Sequence, residues 1–384
     1  MKLSTFSFEP VSGWSLKEFP ALDSEQTLVM VFASPDYLDQ PEALWELFNA
    51  YPQAKIVGCS SAGEIMGPQV NDTSLSVAVL QFERSKVEVV SADIANADQS
   101  FAVGADLARQ LPIRQLSAVF VLSDGLHVNG SELVKGLNSA LPAGVTVTGG
   151  MAGDGDRFER TWVIRDRRPQ TGAVTAVGLY GRRLRVTHGS RGGWDSFGPE
   201  RRVTRSEGNV LYELDGKPAL DLYKEYLGER ADGLPATGLL FPLSIREDAK
   251  DARQIVRTIL AVDEEHQSLT FAGDIPQECM AQLMRANFDR LVGGASAAAD
   301  QAGWKGNGGN ETLAIAISCV GRRLVLGERV EEETEITLEH LPAGTRQIGF
   351  YSYGEISPHA SKQAASGPCE LHNQTMTLTT FAEV

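Results

Sequence analysis

The stretch TLVMVFASPDYLDQPEALWELFNAYPQAKIVGC, residues 27–59, decides the fold class. It opens with an apolar, β-branched run (27–34) that has the length and composition of a buried strand. PEALWELFNA (41–50) follows, with Pro41 at a position suited to the first turn of a helix and its apolar residues on one helical face. The stretch closes on a second buried strand, KIVGC (55–59). A strand, a helix and a second strand in this order predict an α/β unit.

The rest of the chain departs from a purely doubly wound pattern. SLSVAVLQF (74–82) and KVEVVSADI (86–94) flank a short polar link and predict a hairpin. Several strands in series between 161 and 188 alternate with a period of two, which is typical of an antiparallel component. Residues 276–294 predict a long helix that ends at Gly293. The sequence therefore predicts an α/β fold of mixed α+β type, with two domains whose mixed parallel and antiparallel sheets are flanked by helices. No fixed-period repeat is evident.

Length and charge bound the class of protein. A chain of 384 residues favours two or three domains. A polar segment rich in Arg and Gly (189–208) separates the halves, so we expect domains at 1–207 and 208–384. The formal net charge of -15 argues against nucleic acid and membrane surfaces as partners, unless a local basic patch is present. The acidic run 331–335 is expected to be a solvated helix face.

The chain shows no pattern of secretion or membrane insertion. Its amino-terminal residues lack the apolar core of a signal peptide, and its longest apolar runs are shorter than the ~20 residues that span a bilayer. We therefore expect a cytoplasmic protein. The cysteines lie far apart in the sequence and form no paired motif, which predicts buried reduced thiols. They are Cys59, Cys279, Cys319 and Cys369.

A serine turn follows the second strand. In GCSSAG (58–63) the serines Ser60 and Ser61 stand near the position of a hydrolase nucleophile, but Ala62 replaces the second glycine of that motif. A nucleophile also needs a positioned base, and the sequence identifies none. A hydrolase is therefore the weaker alternative, and a tight strand-to-loop turn is the favoured interpretation.

A glycine turn, GGMAGDGD (149–156), follows a later strand. It carries Asp154 but only part of a dinucleotide-binding fingerprint, so a strained turn is favoured over a phosphate site. His127 ends another buried strand, where ligand sites of α/β sheets commonly open, and it is a second candidate for ligand binding.

The segment HGSRGGWDSFGPERR (188–202) gathers one imidazole, two aromatic rings and several cations. A haem site needs these groups: an axial imidazole, flat apolar surface for the porphyrin and cations for its propionates. The alternative is a hydrogen-bonded histidine at an interdomain turn, with arginines paired to acidic neighbours, and spacing alone favours this alternative. The candidate set is His188, Arg191, Trp194, Phe197, Arg201 and Arg202.

Several of these pieces together resemble the FIST family, named for F-box and intracellular signal transduction proteins. The resemblance is carried by GCSSAGEI (58–65), GGMAGDGDRF (149–158), GNVLYELDGKPALDLYKEYLG (208–228), the predicted long helix with its Ala-rich end (276–299), CVGRRLVLG (319–327) and FYSYGEI (350–356), in family order. It covers the chain from about residue 27 to the end. It implies a FIST N-terminal ligand-sensing domain in the first half and a FIST C-terminal domain in the second.

The resemblance also implies a function. The two FIST parts without an attached kinase or cyclase segment resemble stand-alone NosP-type proteins, which bind haem, sense nitric oxide and regulate a partner histidine kinase in cyclic-di-GMP and biofilm control. It implies haem b held by an axial histidine, for which we take His188, with His127 or His359 as replacements. The alternative is a haem-free sensor of an amino acid or similar metabolite, held by Ser60, Ser61, Asp154 and Arg191. In either case we expect a sensor rather than an enzyme, and a homodimer is compatible with the sequence.

Overall fold

The computed structural model describes residues 1–246, 254–303, 311–359 and 367–384. The strands of the first half are β1 (Lys2–Glu9), β2 (Gly13–Trp14), β3 (Thr27–Ala33), β4 (Lys55–Ser60), β5 (Glu64–Met66), β6 (Gln69–Asn71), β7 (Leu75–Gln81), β8 (Lys86–Asp93), β9 (Leu116–Ser123), β10 (Thr146–Met151), β11 (Val163–Arg165), β12 (Arg168–Gln170), β13 (Ala173–Tyr180) and β14 (Leu184–Arg191).

The strands of the second half are β15 (Asp195–Glu207), β16 (Val210–Leu214), β17 (Lys217–Pro218), β18 (Leu243–Arg246), β19 (Ile255–Arg257), β20 (Ile259–Asp263), β21 (Ser268–Phe271), β22 (Met280–Arg285), β23 (Thr312–Cys319), β24 (Arg346–Ser352), β25 (Gly354–Pro358), β26 (Cys369–His372) and β27 (Met376–Glu383). The α-helices are α1 (Glu42–Ala50), α2 (Ser100–Gln110), α3 (Gly130–Ala140), α4 (Ala219–Leu227), α5 (Phe288–Ala302), α6 (Val320–Leu326) and α7 (Val330–His340). The fold is of the mixed α+β type, as predicted, and no helix among the described residues is long and apolar enough to cross a bilayer.

Three of the described sheets share one plan. Each contains a parallel pair of strands with a helical connection and an antiparallel strand beside the first member of the pair. The parallel pairs are β3–β4, β9–β10 and β23–β24, and the antiparallel strands are β7, β13 and β27. We call residues 27–81, 116–180 and 312–383 the first, second and third repeats. The chain has no fixed sequence period because the repeats are unequally spaced, with a long insertion between the second and the third.

The repeats are interlocked by exchanged hairpins. The hairpin β5–β6 follows β4 along the chain but pairs with β24 of the third repeat. In the same way β11–β12 pairs with β4, and β25–β26 pairs with β10. Strand β8 likewise leaves β7 and pairs with β13. The hairpin predicted from residues 74–94 is therefore wrong, because β7 and β8 belong to different sheets.

A closed set of backbone hydrogen bonds joins the repeats where the second strand of each parallel pair ends. The bonds run from the Ala62 amide to the Tyr351 carbonyl (2.9 Å), from the Gly153 amide to the Ser60 carbonyl (3.1 Å) and from the Tyr353 amide to the Met151 carbonyl (3.3 Å). Each repeat donates once and accepts once. The repeats are thus equivalent in topology, with the serine turn and the glycine turn at corresponding positions.

One glycine in each repeat lies where two parallel strands approach most closely. A Cβ at Gly58, Gly149 or Gly349 would collide with the backbone carbonyl of Val31, Val121 or Ala316, respectively. These glycines occupy equivalent positions of β4, β10 and β24. They let the parallel strands pack without displacement of the backbone.

The change Gly349→Ala should lower the free energy of unfolding by about 2 kcal/mol or more, because the new methyl group meets rigid backbone. Chemical denaturation measures the change. The control is Gly293→Ala, since a Cβ at this helical position meets no atom within 4 Å and alanine favours helix by up to about 1 kcal/mol. Equal stability of the two variants would contradict the close approach of β23 and β24.

The described residues of the range 195–285 form an inserted sheet between β14 and α5. Its strands pair antiparallel in the order β19-β18-β22-β15-β16-β21-β20, with β17 beside β16, and they enclose a separate hydrophobic cluster with α4. The boundary expected at 207/208 falls in the turn between β15 and β16, which are hydrogen-bonded to each other. The long helix predicted at 276–294 is wrong: strand β22 occupies its first part, and α5 begins only after Asn287 caps it.

Candidate functional site

A cavity of about 210 Å³ lies between the second repeat and the inserted sheet. One side is the loop that follows β9, and the other is the turn that follows β21. Because β9 and β10 are parallel, their carboxyl ends meet at this edge, which is where α/β sheets commonly bind ligands. We call it the junction cavity. Its walls include Gly125, Asn129, Met151, Phe158, Phe271 and Tyr353.

Asp154 positions the two aromatic residues that line one wall of this cavity. Its carboxylate is buried and accepts hydrogen bonds from the amides of Phe158 (3.0 Å) and Glu159 (2.9 Å), and from the hydroxyl of Tyr353. Burial, followed by the hydrogen bond to Asp154, raises the pKa of Tyr353. The ring of Phe158 stacks on that of Tyr353 at 4.5 Å between centroids. Asp154, predicted as a ligand contact, therefore positions two side chains that line the cavity.

Asp124 fixes the loop that carries His127. Its carboxylate is fully buried and accepts hydrogen bonds from the amides of Leu126 and His127 (2.8 Å each) and from the amide of Gly172 (3.0 Å). The Nδ1 atom of His127 lies 3.0 Å from the same carboxylate, and about half of the histidine side chain is exposed. His127 thus lies between two residues that line the cavity, Leu126 and Val128.

Asp274 joins the inserted sheet to α3 beside the cavity. Its carboxylate accepts hydrogen bonds from Asn129 Nδ2 (3.0 Å) and Lys135 Nζ (2.8 Å), and its amide donates to the Ser131 hydroxyl (3.3 Å). Burial raises the pKa of Asp274, but the hydrogen bonds from Asn129 and Lys135 outweigh burial and keep the pKa below its ordinary value. The two sides of the junction cavity are therefore held by a charged contact that an occupant could strengthen or weaken.

Arg257 makes a second connection between the inserted sheet and the repeats. It is buried and donates hydrogen bonds to the carbonyls of Asp274 (3.1 Å) and Leu371 (3.1 Å), the latter on β26. Burial lowers its pKa to about 10. The guanidinium therefore ties β19 both to the turn at the cavity and to the hairpin of the third repeat.

The predicted serine pair supports backbone rather than a ligand. The Ser60 hydroxyl accepts a hydrogen bond from the Trp162 amide (3.1 Å), and that of Ser61 accepts one from the Gly63 amide (2.8 Å). Both residues are buried at the closed ring of backbone bonds. Within the described ranges, no histidine hydrogen-bonds to Ser60.

His188 lies on β14 and is largely buried. Its Nδ1 atom is 3.5 Å from the Ser357 hydroxyl, and burial lowers its pKa, so the ring is neutral at pH 7. Ser357 also accepts, through its carbonyl, a hydrogen bond from His372 Nε2 (3.0 Å). Burial lowers the pKa of His372 to about 4. His359, whose ring stacks on that of His372 at 6.3 Å, completes a histidine group that sequence reasoning did not assemble.

The aromatic members of the predicted haem set pack elsewhere. The Trp194 ring is buried against Met284 and Leu291, and its Nε1 atom donates to the Gln374 carbonyl (2.9 Å). Phe197 lies on β15 of the inserted sheet and is covered by the guanidinium of Arg285.

The cationic members of the set already have partners. Arg201 forms an ion pair with Asp215 (3.0 Å) and Arg202 with Glu278 (3.0 Å). Arg191 lies beside the side-chain amide of Gln301, whose oxygen accepts from Nε and Nη2 (2.6 and 3.0 Å) when the amide is oriented with this oxygen toward the guanidinium.

The six predicted residues do not fit a haem pocket in this arrangement. A porphyrin needs an open flat wall, but Trp194 is packed and hydrogen-bonded within its cluster. Its propionates need available cations, but Arg201 and Arg202 are paired with carboxylates. Among the residues the structure describes, no group of three or more His, Cys, Asp or Glu side chains is arranged to hold a metal ion.

Two buried carboxylates at equivalent positions were missed. Glu64 accepts hydrogen bonds from the amide (2.9 Å) and hydroxyl (3.1 Å) of Ser74. Glu355 accepts the same two bonds from Thr375 (3.1 and 2.9 Å) and a third from Ser352 (2.6 Å). Burial raises the pKa of each carboxyl to about 8. The repeated pattern Ser-x-Gly-Glu, at 61–64 and 352–355, is the sequence signal that could have found them.

A buried ion pair occupies the third repeat. Arg322 donates to Glu333 through Nε (3.0 Å) and Nη2 (2.7 Å), and both side chains are fully buried. The other oxygen of Glu333 accepts hydrogen bonds from Ser318 (2.9 Å) and Tyr351 (2.6 Å). Arg322 also donates to the carbonyl of Leu291 (2.9 Å). The prediction that the acidic run 331–335 is a solvated helix face is therefore wrong at Glu333, which is buried.

Comparison with known proteins identifies the family. The FIST N domain matches residues 27–217, and the FIST C domain matches residues 219–358. An uncharacterized protein of Mycobacterium tuberculosis is 26% identical over 356 residues, which cover 88% of each chain. An uncharacterized protein of Mycobacterium bovis is 28% identical over 263 residues, 64% of each chain. A solved cyanuric acid hydrolase from A. caulinodans aligns with 100% of this chain and 98% of its own at 9% identity and a TM-score of 0.36. The chain belongs to the FIST family, whose domains are generally sensor domains for small ligands.

Proposed function

We propose that the chain is a small-ligand sensor and that the junction cavity binds the ligand. The observation that carries the proposal is the composition of the cavity walls. The loop after β9 and the turn after β21 both line the space, so an occupant contacts the second repeat and the inserted sheet together. A ligand that binds more tightly when the two parts are in one relative position than in another shifts the population toward the tighter-binding position. Asp274 joins the inserted sheet to the second repeat and Arg257 joins it to β26, and these are the contacts that such a shift would change.

The walls favour a compact metabolite of about the size of an amino acid. A volume of about 210 Å³ suits a small molecule. The stacked rings of Phe158 and Tyr353 offer an apolar, flat surface, and the side chain of Asn209, whose Nδ2 atom donates to the Phe271 carbonyl, offers its oxygen. Helix α3 begins at Gly130 in the wall, and its dipole favours a nearby carboxylate even though the Asn129 side chain already accepts from the Glu132 amide. These features match an amino acid with an apolar side chain.

The experiment is a thermal-shift screen of the twenty amino acids, followed by calorimetric titration of those that raise the melting temperature. Linkage requires that a ligand of the folded state raise this temperature, by an amount that grows with the logarithm of its concentration once this exceeds Kd. If no amino acid or related metabolite raises the melting temperature, this proposal is wrong.

Phe158→Ala should weaken binding of such a ligand about tenfold, because it removes one ring of the stacked wall. Calorimetric titration measures the change in Kd. The matched control is Phe101→Ala, a similarly exposed phenylalanine on α2 that does not line the cavity. Equal affinities of the two variants would place the ligand elsewhere.

The second candidate function rests on the family resemblance: a haem b sensor of nitric oxide that regulates a partner histidine kinase. His188, a neutral and largely buried imidazole, is the residue that favours it, although the other predicted members of the set are engaged elsewhere. Visible spectra of protein expressed with haem available, beside those of His188→Ala, decide this proposal. A Soret band that shifts with nitric oxide in the parent and is lost in the variant supports it, and absence of the band removes it. Both proposals include a cytoplasmic location and a homodimeric protein.

We propose no catalytic role for Ser60, because its hydroxyl accepts a backbone hydrogen bond. Hydrolytic turnover by the purified protein that disappears in Ser60→Ala would revive the hydrolase alternative.

A further inference from the structure

A second concave site lies at the opposite end of the second repeat, where β9 begins. It is a groove of about 400 Å³ between the turn before β8, the loop from α2 to β9 and the end of β13. We call it the basic groove. The residues that matter to its chemistry are Arg84, Lys86, Glu88, Arg114, Gln115 and Tyr180.

The groove concentrates positive charge in a strongly acidic protein. Three cations, Arg84, Lys86 and Arg114, line it together with one carboxylate, Glu88. Most arginines near the other sites are paired: Arg201, for example, contacts Asp215. In contrast, none of the three groove cations forms an ion pair with a carboxylate in the part of the chain that the structure describes. Two further arginines, Arg182 and Arg183, directly follow the groove residue Gly181 in the sequence.

Tyr180 also lines the groove. Only 7% of this residue is exposed, and its hydroxyl oxygen is closed to solvent and has no hydrogen-bond partner among the described residues. A ligand in the groove therefore meets the ring of Tyr180, and the three cations are the groups that bind it.

We infer that the basic groove binds a small anion that carries phosphate groups. Guanidinium and ammonium groups are the side chains that hold phosphate oxygens in proteins, and three of them face one confined volume here. The ligand is small because the net charge of -15 repels an extended polyanion beyond the groove, whereas a compact anion experiences mainly the local cations. This site is separate from the junction cavity, and the proposed function does not depend on it.

The test is calorimetric titration at low ionic strength with two probes, inorganic pyrophosphate and adenosine monophosphate. Lys86→Gln and Arg114→Gln should each weaken binding about tenfold, the usual effect of removing one charged hydrogen-bond donor. Added salt should weaken binding by the parent.

The matched control is Arg109→Gln, which makes the same change of charge on the neighbouring helix α2 but outside the groove. Equal weakening by Arg109→Gln would mean that only diffuse charge attracts the probes, and it would overturn the proposal. Absence of binding at millimolar concentration, or binding confined to DNA or to anionic lipid vesicles, would also overturn it. If pyrophosphate binds as tightly as adenosine monophosphate, the groove recognises phosphate alone; tighter binding of the nucleotide shows that it also recognises the nucleoside. Phe158→Ala should leave binding of both probes unchanged.

Discussion

Glu64→Gln should raise the free energy of unfolding at pH 9 and leave it nearly unchanged at pH 4. Burial raises the pKa of the folded carboxyl to about 8, whereas its ordinary value of 4.5 applies when the chain unfolds. The folded state therefore binds the proton more tightly. The stabilising contribution of the protonated Glu64 carboxyl is fully present below pH 4.5 and is lost as the pH rises to about 8. The loss amounts to about 4 kcal/mol, and glutamine, which stays neutral, avoids it.

Glu355→Gln should behave in the same way, because burial raises its pKa to the same value. Chemical denaturation of the parent and of each variant between pH 4 and pH 9 measures both effects. The control is Glu335→Gln, since Glu335 is an exposed residue of α7 whose replacement should change stability little at either pH. If both variants keep the full pH dependence of the parent, these carboxyls are already ionised in the folded protein near neutral pH.

Arg322→Met should lower the free energy of unfolding by about 3–5 kcal/mol, the second large effect. The change leaves the carboxylate of Glu333 buried without its cation, which is the costly way to break a buried ion pair. The double variant Arg322→Met with Glu333→Gln should recover much of the loss, because glutamine is neutral and still accepts hydrogen bonds from Ser318 and Tyr351.

A double-mutant cycle by chemical denaturation measures the coupling between Arg322 and Glu333. The matched control removes the same kind of side chain from an exposed pair: Arg329→Met, beside Glu332, should leave stability nearly unchanged. Additive effects of the two single changes in the cycle would show that the pair contributes no coupling, contrary to the structure.

Short sequence patterns correctly predicted the strands and the helix whose formation depends mainly on neighbouring residues. The apolar run at 27–34, the amphipathic run at 41–50 and the apolar run at 55–59 became β3, α1 and β4 within a residue or two. The four cysteines are buried and unpaired, as expected. By contrast, a hairpin at 74–94 was wrong because β8 finds its partner, β13, some 80 residues later in the chain. Strand pairing between distant segments leaves little trace in a short window of sequence.

The site was harder to predict because its partners are distant in sequence. Asp154 has the residue type of a ligand contact, but Tyr353, which donates a hydrogen bond to its carboxylate, lies almost 200 residues away. The paired arginines follow the alternative that spacing favoured at His188–Arg202, with Asp215 and Glu278 as the acidic neighbours. Within the acidic run, only the contacts that α7 makes with β23, β24 and α6 determine that Glu333 is the buried member. Composition cannot reveal which member of such a run lies inside.

The exchanged hairpins limit how this chain can be divided. A fragment that ends near residue 217 would keep β5–β6 without β24 to receive it, and it would leave the edge of β10 open where β25 now pairs. Exposed edges of this kind invite association with other chains. The boundary between the two family domains is therefore a division of sequence and not of folding, and the halves should be produced, unfolded and studied only as one piece.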